Sequence, residues 1–341
     1  MIVVRAPLRI SFVGGGTDLP DFYQRSPGRV ISTTVDKYVY VVINRTPLIP
    51  YISARYSISE TVKKPALLEH TRIKAALLDL GIKKGIEIAS FASLPAKTGL
   101  GSSSSFSVAL LKGLSAFLGK KLDSAEAAEL ACRLELTLLG EPIGKQDQYA
   151  AAFGGLNIID FQSDNSVVVK PLLLDYRKKL EFENHLLVFF TGLTRDASSV
   201  LKEQKVNIQK KIKVLKKMAN SVEEFTKYLF AGKIIMLGKL LHEAWLYKKS
   251  LASTISNSVI NELYMGGIKA GAWGGKILGA GGGGCLLFIT PLEKKQSIRK
   301  ALKKKAQSLK LLEFREIPIR FVQSGAEILF NADLKNNGKL Y

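Results

Sequence analysis

Cysteine and histidine are scarce in this 341-residue chain, and each scarcity removes a class of chemistry. The two cysteines, Cys132 and Cys285, sit in helix-like and strand-like apolar stretches, so each reads as a buried structural thiol. The three histidines, His70, His185 and His242, are scattered without HExxH spacing or cysteine company, which argues against a protein-held zinc ion. No apolar run is long enough to cross a bilayer, so no membrane association is expected. The N-terminus enters a glycine-rich loop after a short apolar segment and lacks a signal-peptide layout; a cytoplasmic location is the expectation. No internal repeat or low-complexity linker interrupts the chain. Acidic residues are also few, 29 against 50 Lys and Arg, a net charge of +21 that invites a nucleic-acid reading. Its placement argues otherwise. Much of the excess lies in residues 202–217 and 294–310, where lysines alternate with leucine and isoleucine at helical spacing, the pattern of solvated amphipathic faces without interleaved aromatics. No specific nucleic-acid partner is expected.

Glycine, by contrast, is concentrated in three clusters. One runs Leu94-Pro95-Ala96-Lys97-Thr98-Gly99-Leu100-Gly101-Ser102-Ser103-Ser104-Ser105-Phe106, from an apolar strand-like stretch through a glycine turn into a helix. Glycines there let backbone approach a ligand with no Cβ in the way, and the first helical N–H groups, lacking partners, face whatever anion sits at the turn. The plain alternative is a loop whose serines only cap the helix. A second cluster, Gly14-Gly15-Gly16-Thr17-Asp18, follows an alternating strand, and a third, Gly279 to Gly284, feeds an apolar strand. Consecutive glycines cost about 0.5–1 kcal/mol each relative to alanine in regular structure, so backbone packed around a ligand is the economical reason for three clusters. Two familiar phosphate motifs fail: Gly275-Lys276 is followed by Ile277 where a Walker loop needs Ser or Thr, and Gly279-x-Gly281-x-x-Gly284 opens a strand where a dinucleotide fingerprint needs a helix.

Coarse periodicity places strands at 3–5, 9–13, 30–36, 39–44 and 86–91 and helices at 67–79, 104–118 and 124–139. Strands at 155–160 and 167–171 close the first half, and the charged stretch 175–183 reads as a domain junction. Beyond it come a strand at 186–191, four helices between 196 and 270, strand 285–289, helix 292–308 and strand 316–322. The class is α+β, with the expected division 1–178 and 179–341.

The three clusters in this order, over essentially the whole chain, resemble the galactokinase, homoserine kinase, mevalonate kinase and phosphomevalonate kinase (GHMP) superfamily of small-molecule kinases. Arg9 followed by Thr17-Asp18, in place of a lysine and a glycine-glutamate-histidine, looks like its sugar-1-kinase branch. Residues 14–22, 144–149, 189–195 and 255–257 look most like the bacterial D-glycero-D-manno-heptose 7-phosphate kinases, although fucose and other hexose 1-kinases share several of these blocks. The resemblance implies a ribosomal-protein-S5-domain-2-like N-terminal ATP-binding domain, a ferredoxin-like C-terminal domain and a cleft between them. It also implies ATP and Mg2+ as cofactors and a small-molecule sugar phosphate as the partner, with a homodimer left open.

Carried over residue by residue, the resemblance gives Asp147 as the carboxylate facing the acceptor hydroxyl and Arg9 as the cation beside it and the γ-phosphate. The plain alternatives are a helix-capping aspartate and a surface arginine on an edge strand. Pro95, Lys97, Gly99, Leu100, Gly101, Ser102, Ser103 and Ser104 correspond to the ATP-binding turn, and Ser103 with Glu135 to the Mg2+ ligands, against an exposed helix carboxylate as the plain reading of Glu135. Gly16, Thr17, Asp18, Gly281 and Gly282 are expected along the substrate, Asp18 because a carboxylate can accept two hydroxyl hydrogens. If the sugar carries a phosphate, Arg195 is the expected cation, with Lys37 and Lys248 behind it. The expected reaction is transfer to the anomeric hydroxyl of the heptose 7-phosphate, with a fucose- or galactose-type 1-kinase, or a non-catalytic sensor on the same scaffold, as alternatives.

Overall fold

The computed structural model describes residues 1–194 and 197–332. Alternating apolar residues drive the first long pairing: β1 (Ile2–Ser11) runs antiparallel to β2 (Gly28–Arg45), connected through the short helix α1 (Pro20–Tyr23). Each is one strand where two were expected. Pro7 lacks an N–H, and the ladder absorbs it as a register shift between Pro7 and Leu8 rather than ending there. Two strands absent from the expectation, β3 (Ile52–Arg55) and β4 (Ser59–Val62), precede α2 (Thr71–Asp79) and β5 (Ile86–Ala92). Then come α3 (Ser102–Phe117), α4 (Ser124–Cys132), α5 (Gln146–Phe153), β6 (Leu156–Phe161) and β7 (Val167–Pro171). The expected helix 124–139 is α-helical only to Cys132 and continues as a π-helical turn over Arg133–Leu138.

The stretch expected as a junction folds instead as α6 (Tyr176–Asn184), capped by the Asp175 carboxylate, which accepts from the Arg177 and Lys178 amides. It leads into β8 (Leu186–Phe190). The four helices expected next are, among the described residues, α7 (Ala197–Phe230), α8 (Ile234–Lys249), a 3-10 turn at Ser253–Ile255 and α9 (Ser258–Lys269). The unexpected β9 (Gly274–Ile277), β10 (Cys285–Ile289), α10 (Lys295–Ser308) and β11 (Arg315–Glu316) follow. The single strand expected at 316–322 is split: β11 joins the second sheet, whereas β12 (Phe321–Val322) pairs with β2 and β13 (Glu327–Asn331) pairs with β1.

Among the described residues these strands form a nine-stranded sheet with the path β13-β1-β2-β5-β3-β4, to which β12, β6 and β7 attach, and a four-stranded antiparallel sheet ordered β11-β8-β10-β9. The architecture is α+β and two-lobed, but the chain crosses back: β12 and β13 lie beyond residue 178 and still belong to the first sheet. One apolar core spans both lobes, carrying Ile10 and Phe12 together with Phe182, Val188, Phe190 and Phe225. At its centre Phe12 packs on Phe182 and Phe225, with ring centroids 5.2 and 5.4 Å apart. Burying each such ring stabilises by about 1.5–3 kcal/mol, so the end of β1 is held where the lobes meet. A second core lies between the four-stranded sheet and α7–α10. No helix among the described residues is long and apolar enough to cross a membrane.

Candidate active site

A cavity of about 860 Å3 opens at the junction of the lobes, within the range that holds small-molecule ligands. The N-terminus of α3 points into it. Its first residue follows Gly101, which has φ +78°, and no side chain caps it. The serines therefore do not serve as caps, and Ser102, Ser103 and Ser104 line the cavity with Lys97, Gly99 and Gly101. Backbone donors at an uncapped helix N-terminus, with the positive end of the helix dipole behind them, make a site for phosphate oxygens. Two expected ATP residues are not on this wall: Leu100 is buried in the core, and Pro95 is exposed outside the cavity.

The glycines answer to two constraints. Gly99 has φ +80°, and a Cβ there would lie 2.5 Å from the Leu278 carbonyl oxygen; one on Gly279 would lie 2.7 Å from the Gly99 Cα. The middle and late clusters are thus packed back to back, chain against chain, with their free edges toward the cavity. Close packing around a ligand explains only part of the glycine content. Gly281 lines the cavity, whereas Gly282 does not and donates its N–H to the Ile255 carbonyl.

Beside the α3 N-terminus, Arg9 grips Asp147. Arg9 Nε and Nη2 donate to the two Asp147 carboxylate oxygens at 2.8 and 2.7 Å, and Nη1 donates to the Gly99 carbonyl at 2.6 Å. Arg9 is 3% exposed, so it is not at the surface; β13 covers β1 only over residues 2–5, and at Arg9 the side away from β2 meets the glycine turn, the Arg9 amide donating to the Leu100 carbonyl at 2.9 Å. Asp147 is the second residue of α5, not its cap, and its carboxylate belongs to the ion pair. Through Arg9, β1, which leads into the loop over residues 14–18, is tied both to α5 and to the glycine turn at the start of α3.

Glu135 is fully buried, which removes the exposed-helix reading. The π turn sets it inward, where it accepts from the hydroxyls of Ser104 (2.8 Å) and Ser107 (2.6 Å), from Arg72 Nε (3.3 Å) and from the Gln148 amide. The hydroxyl that meets Glu135 is Ser104's, while Ser103, exposed, faces the cavity. Gln148 Oε1 stays buried without a hydrogen-bond partner among the described residues. Among the described residues no group of three or more His, Cys, Asp and Glu could cage a metal. A hard cation here would lean on one carboxylate, hydroxyls and phosphate oxygens, which is the coordination Mg2+ accepts.

From the first glycine cluster, Asp18 and Gly16 line the cavity. Asp18 Oδ1 accepts from the Gly16 amide at 3.0 Å, and burial, then the nearby Asp147 charge, raise its pKa. Thr17 does not reach the cavity. Its hydroxyl donates toward the Gly14 and Arg29 carbonyls and accepts from the Arg29 amide, so it fastens the loop. Lys37 is paired with Asp36 away from the cavity, and Arg195 lies outside the described residues. Lys248 does line the cavity, donating its ammonium to the Gly279 carbonyl; burial, and then Arg9, lower its pKa to about 8. The alkaline limb of kcat/KM is therefore expected to fall through about pH 8 as Lys248 loses its proton, and Lys248→Met should abolish that limb. An unchanged alkaline profile in the variant would show the ammonium idle.

Lys276 escaped the sequence reading. It sits on the otherwise apolar β9, fully buried, with Nζ donating to the Ser11 and Phe12 carbonyls at 2.9 Å each. It joins the second sheet to the end of β1. A lone lysine in a short apolar stretch offers no spacing that could have announced it.

A small-molecule cavity with an uncapped helix N-terminus and, beside it, an Arg–Asp pair whose carboxylate faces the cavity is the arrangement of a phosphotransferase. Residues 62–155 match the GHMP kinases N terminal domain and residues 225–308 the GHMP kinases C terminal domain, together more than half of the chain. The chain belongs to the GHMP kinase family and is an ATP-using kinase. It is 28% identical over 318 residues to the D-glycero-alpha-D-manno-heptose 7-phosphate kinase of Campylobacter jejuni, covering 89% of this chain and 93% of that protein. A solved D-glycero-D-manno-heptose 1-phosphate kinase from Bacteroides thetaiotaomicron superposes with a TM-score of 0.80 at 26% identity, covering 97% of this chain and 99% of that one. The Lactococcus lactis galactokinase, at 17% identity and TM-score 0.77 over 96% and 95% of the two chains, shares the fold.

Proposed function

We propose that this protein is a carbohydrate kinase that transfers the γ-phosphoryl group of ATP to the anomeric hydroxyl of D-glycero-D-manno-heptose 7-phosphate, giving the 1,7-bisphosphate. The observation that carries the chemistry is the doubly hydrogen-bonded Arg9–Asp147 pair, set between the phosphate-facing turn and Asp18. The heptose phosphate enters from the two relatives whose names carry that sugar.

Phosphoryl transfer passes through a loose transition state that asks the protein mainly for alignment and charge neutralisation. The amides at the start of α3 hold the triphosphate. Arg9 presents one face of its guanidinium to Asp147 and fixes the carboxylate that receives or orients the acceptor hydroxyl. Asp18 holds a sugar hydroxyl. Glu135, with the hydroxyls of Ser103 and Ser104, would hold Mg2+, which supplies charge neutralisation on the phosphate oxygens. Glu135→Gln is expected to raise the Mg2+ concentration for half-maximal activity by about 10- to 100-fold; an unchanged Mg2+ requirement would leave Glu135 a packing carboxylate. We assign residues 1–178 to the ATP-binding domain and the chain beyond 178 to the second, except for β12 and β13, which lie in the first sheet.

A neutral-sugar 1-kinase is the second reading. One observation favours it: Lys248, one of several cations lining the cavity, stands within electrostatic reach of Arg9, Asp18 and Asp147, near the transferring group rather than at a distal end. The test is ADP release across D-glycero-D-manno-heptose 7-phosphate, the same sugar without phosphate, sedoheptulose 7-phosphate, fucose, galactose and mevalonate. Turnover confined to the manno-heptose 7-phosphate supports the first reading. Equal or better turnover of a neutral sugar replaces it with the second.

A further inference from the structure

Helix α7 brings to the cavity a polar side chain, Gln204, whose amide nitrogen no described residue engages. Gln204 is 3% exposed and lines the cavity beside Gly16, yet its Nε2 is buried with no hydrogen-bond partner. A buried amide left unpaired costs stability, and native structures pair nearly all such groups. Its position is not an accident of a loose helix. On one side of it Glu203 Oε1 accepts from the amide and hydroxyl of Ser253 at 2.7 and 2.8 Å, and Glu203 Oε2 from the Thr254 hydroxyl at 2.5 Å. One turn on, Asn207 Nδ2 donates to the Leu251 carbonyl at 3.1 Å. These anchors fix the rotation of α7 that turns Gln204 toward the substrate loop.

The contact with that loop is tight. A Cβ on Gly16, which has φ +99°, would lie 2.4 Å from Gln204 Nε2, so glycine is what admits the amide here. The Gly16 N–H is meanwhile bound to Asp18 Oδ1 at 3.0 Å. Gly16 is thus flanked by a carboxylate that accepts and an amide that donates. A sugar hydroxyl, which gives one hydrogen and takes another, satisfies both; a phosphate group would satisfy the amide and be repelled by the carboxylate.

We propose that Gln204 is a specificity-determining residue that donates its side-chain amide to a hydroxyl of the sugar acceptor, the same hydroxyl or its neighbour being held by Asp18. This deepens the kinase reading and rests on it. The amide nitrogen has no hydrogen bond among the described residues to break, so a modest rotation delivers it to the ligand, and substrate binding relieves the unpaired donor.

The test compares wild type with Gln204→Leu and Gln204→Met, following acceptor KM, ATP KM, kcat, thermal unfolding, and calorimetric binding of D-glycero-D-manno-heptose 7-phosphate and its neutral parent sugar. Acceptor KM should rise about 3- to 10-fold, the effect of one lost hydrogen bond, while ATP KM and kcat stay within about twofold. The midpoint of unfolding should hold or rise, because an unpaired donor has been removed; a structural role would lower it instead. A deoxy-sugar that binds wild type as weakly as the variants, and is not weakened further in them, identifies the hydroxyl. Acceptor binding and KM unchanged in both variants would overturn the assignment. If wild type releases no ADP on any acceptor, the kinase reading fails on its own, and the calorimetric comparison still decides Gln204: weaker sugar binding in the variants upholds it, and equal binding refutes it.

Discussion

Asp147→Asn is expected to lower kcat by about 10²- to 10⁴-fold, the range a positioned acid–base group contributes, with KM for ATP and acceptor changing far less. The substitution keeps the volume of the side chain and removes what the site uses. Both Asp147 oxygens accept from Arg9, and the same carboxylate faces the cavity. An amide offers a single acceptor and turns its NH2 toward the guanidinium, so the orientation of the pair is lost with its charge. Steady-state kinetics with each substrate saturating in turn, beside a thermal unfolding curve, separates lost chemistry from lost fold. Activity within about threefold of wild type would remove Asp147 from the reaction.

Arg9→Ala should cost on the order of 10³-fold or more in kcat, as expected for an arginine that stabilises a transferring phosphoryl group. Arg9→Lys should recover little, because lysine keeps the charge and loses the fork that meets both carboxylate oxygens while also reaching Gly99. The two residues act as one unit. The double variant Arg9→Ala/Asp147→Asn is therefore expected to be only slightly worse than the poorer single variant, far short of the product of their separate losses. Losses that multiply in full would show two independent contributions and contradict the account of the pair.

Much of this site was legible in sequence because its chemistry needs particular residues at fixed offsets along one local segment. The glycine turn entering α3 and the acidic residue after the substrate glycines are of that kind. Arg9, Asp147 and Glu135 came from the family pattern, and the structure places all three at or just behind the cavity wall. Thr17 went astray for a physical reason: a hydroxyl beside a substrate glycine looks free in sequence, and only the return of Arg29 reveals that it is spent on the backbone. Four consecutive serines carry no phase, so sequence could not say which hydroxyl meets Glu135; a shift of one residue around the helix decides between Ser103 and Ser104.

The fold was legible where pairing is local and opaque where it is not. The alternation that forms β1 and β2 is visible, but that Pro7 would be carried as a bulge depends on the strand packed beside it. The segment Glu327–Asn331 alternates weakly, and its partner, Ile2–Arg5, lies at the opposite end of the chain. Gln204 and Lys276 belong to the same class: Gln204 hides in a run of charged residues and Lys276 in a short strand of glycine and isoleucine, and each is meaningful only through what the other lobe sets against it.

Phosphorus NMR of the reaction of ATP with D-glycero-D-manno-heptose 7-phosphate tests the central claim most directly. The account predicts a new phosphomonoester resonance coupled to the anomeric proton, with the 7-phosphate resonance retained and one ADP formed per product. A phosphoryl group on any other carbon, or ADP accompanied only by inorganic phosphate, would contradict it.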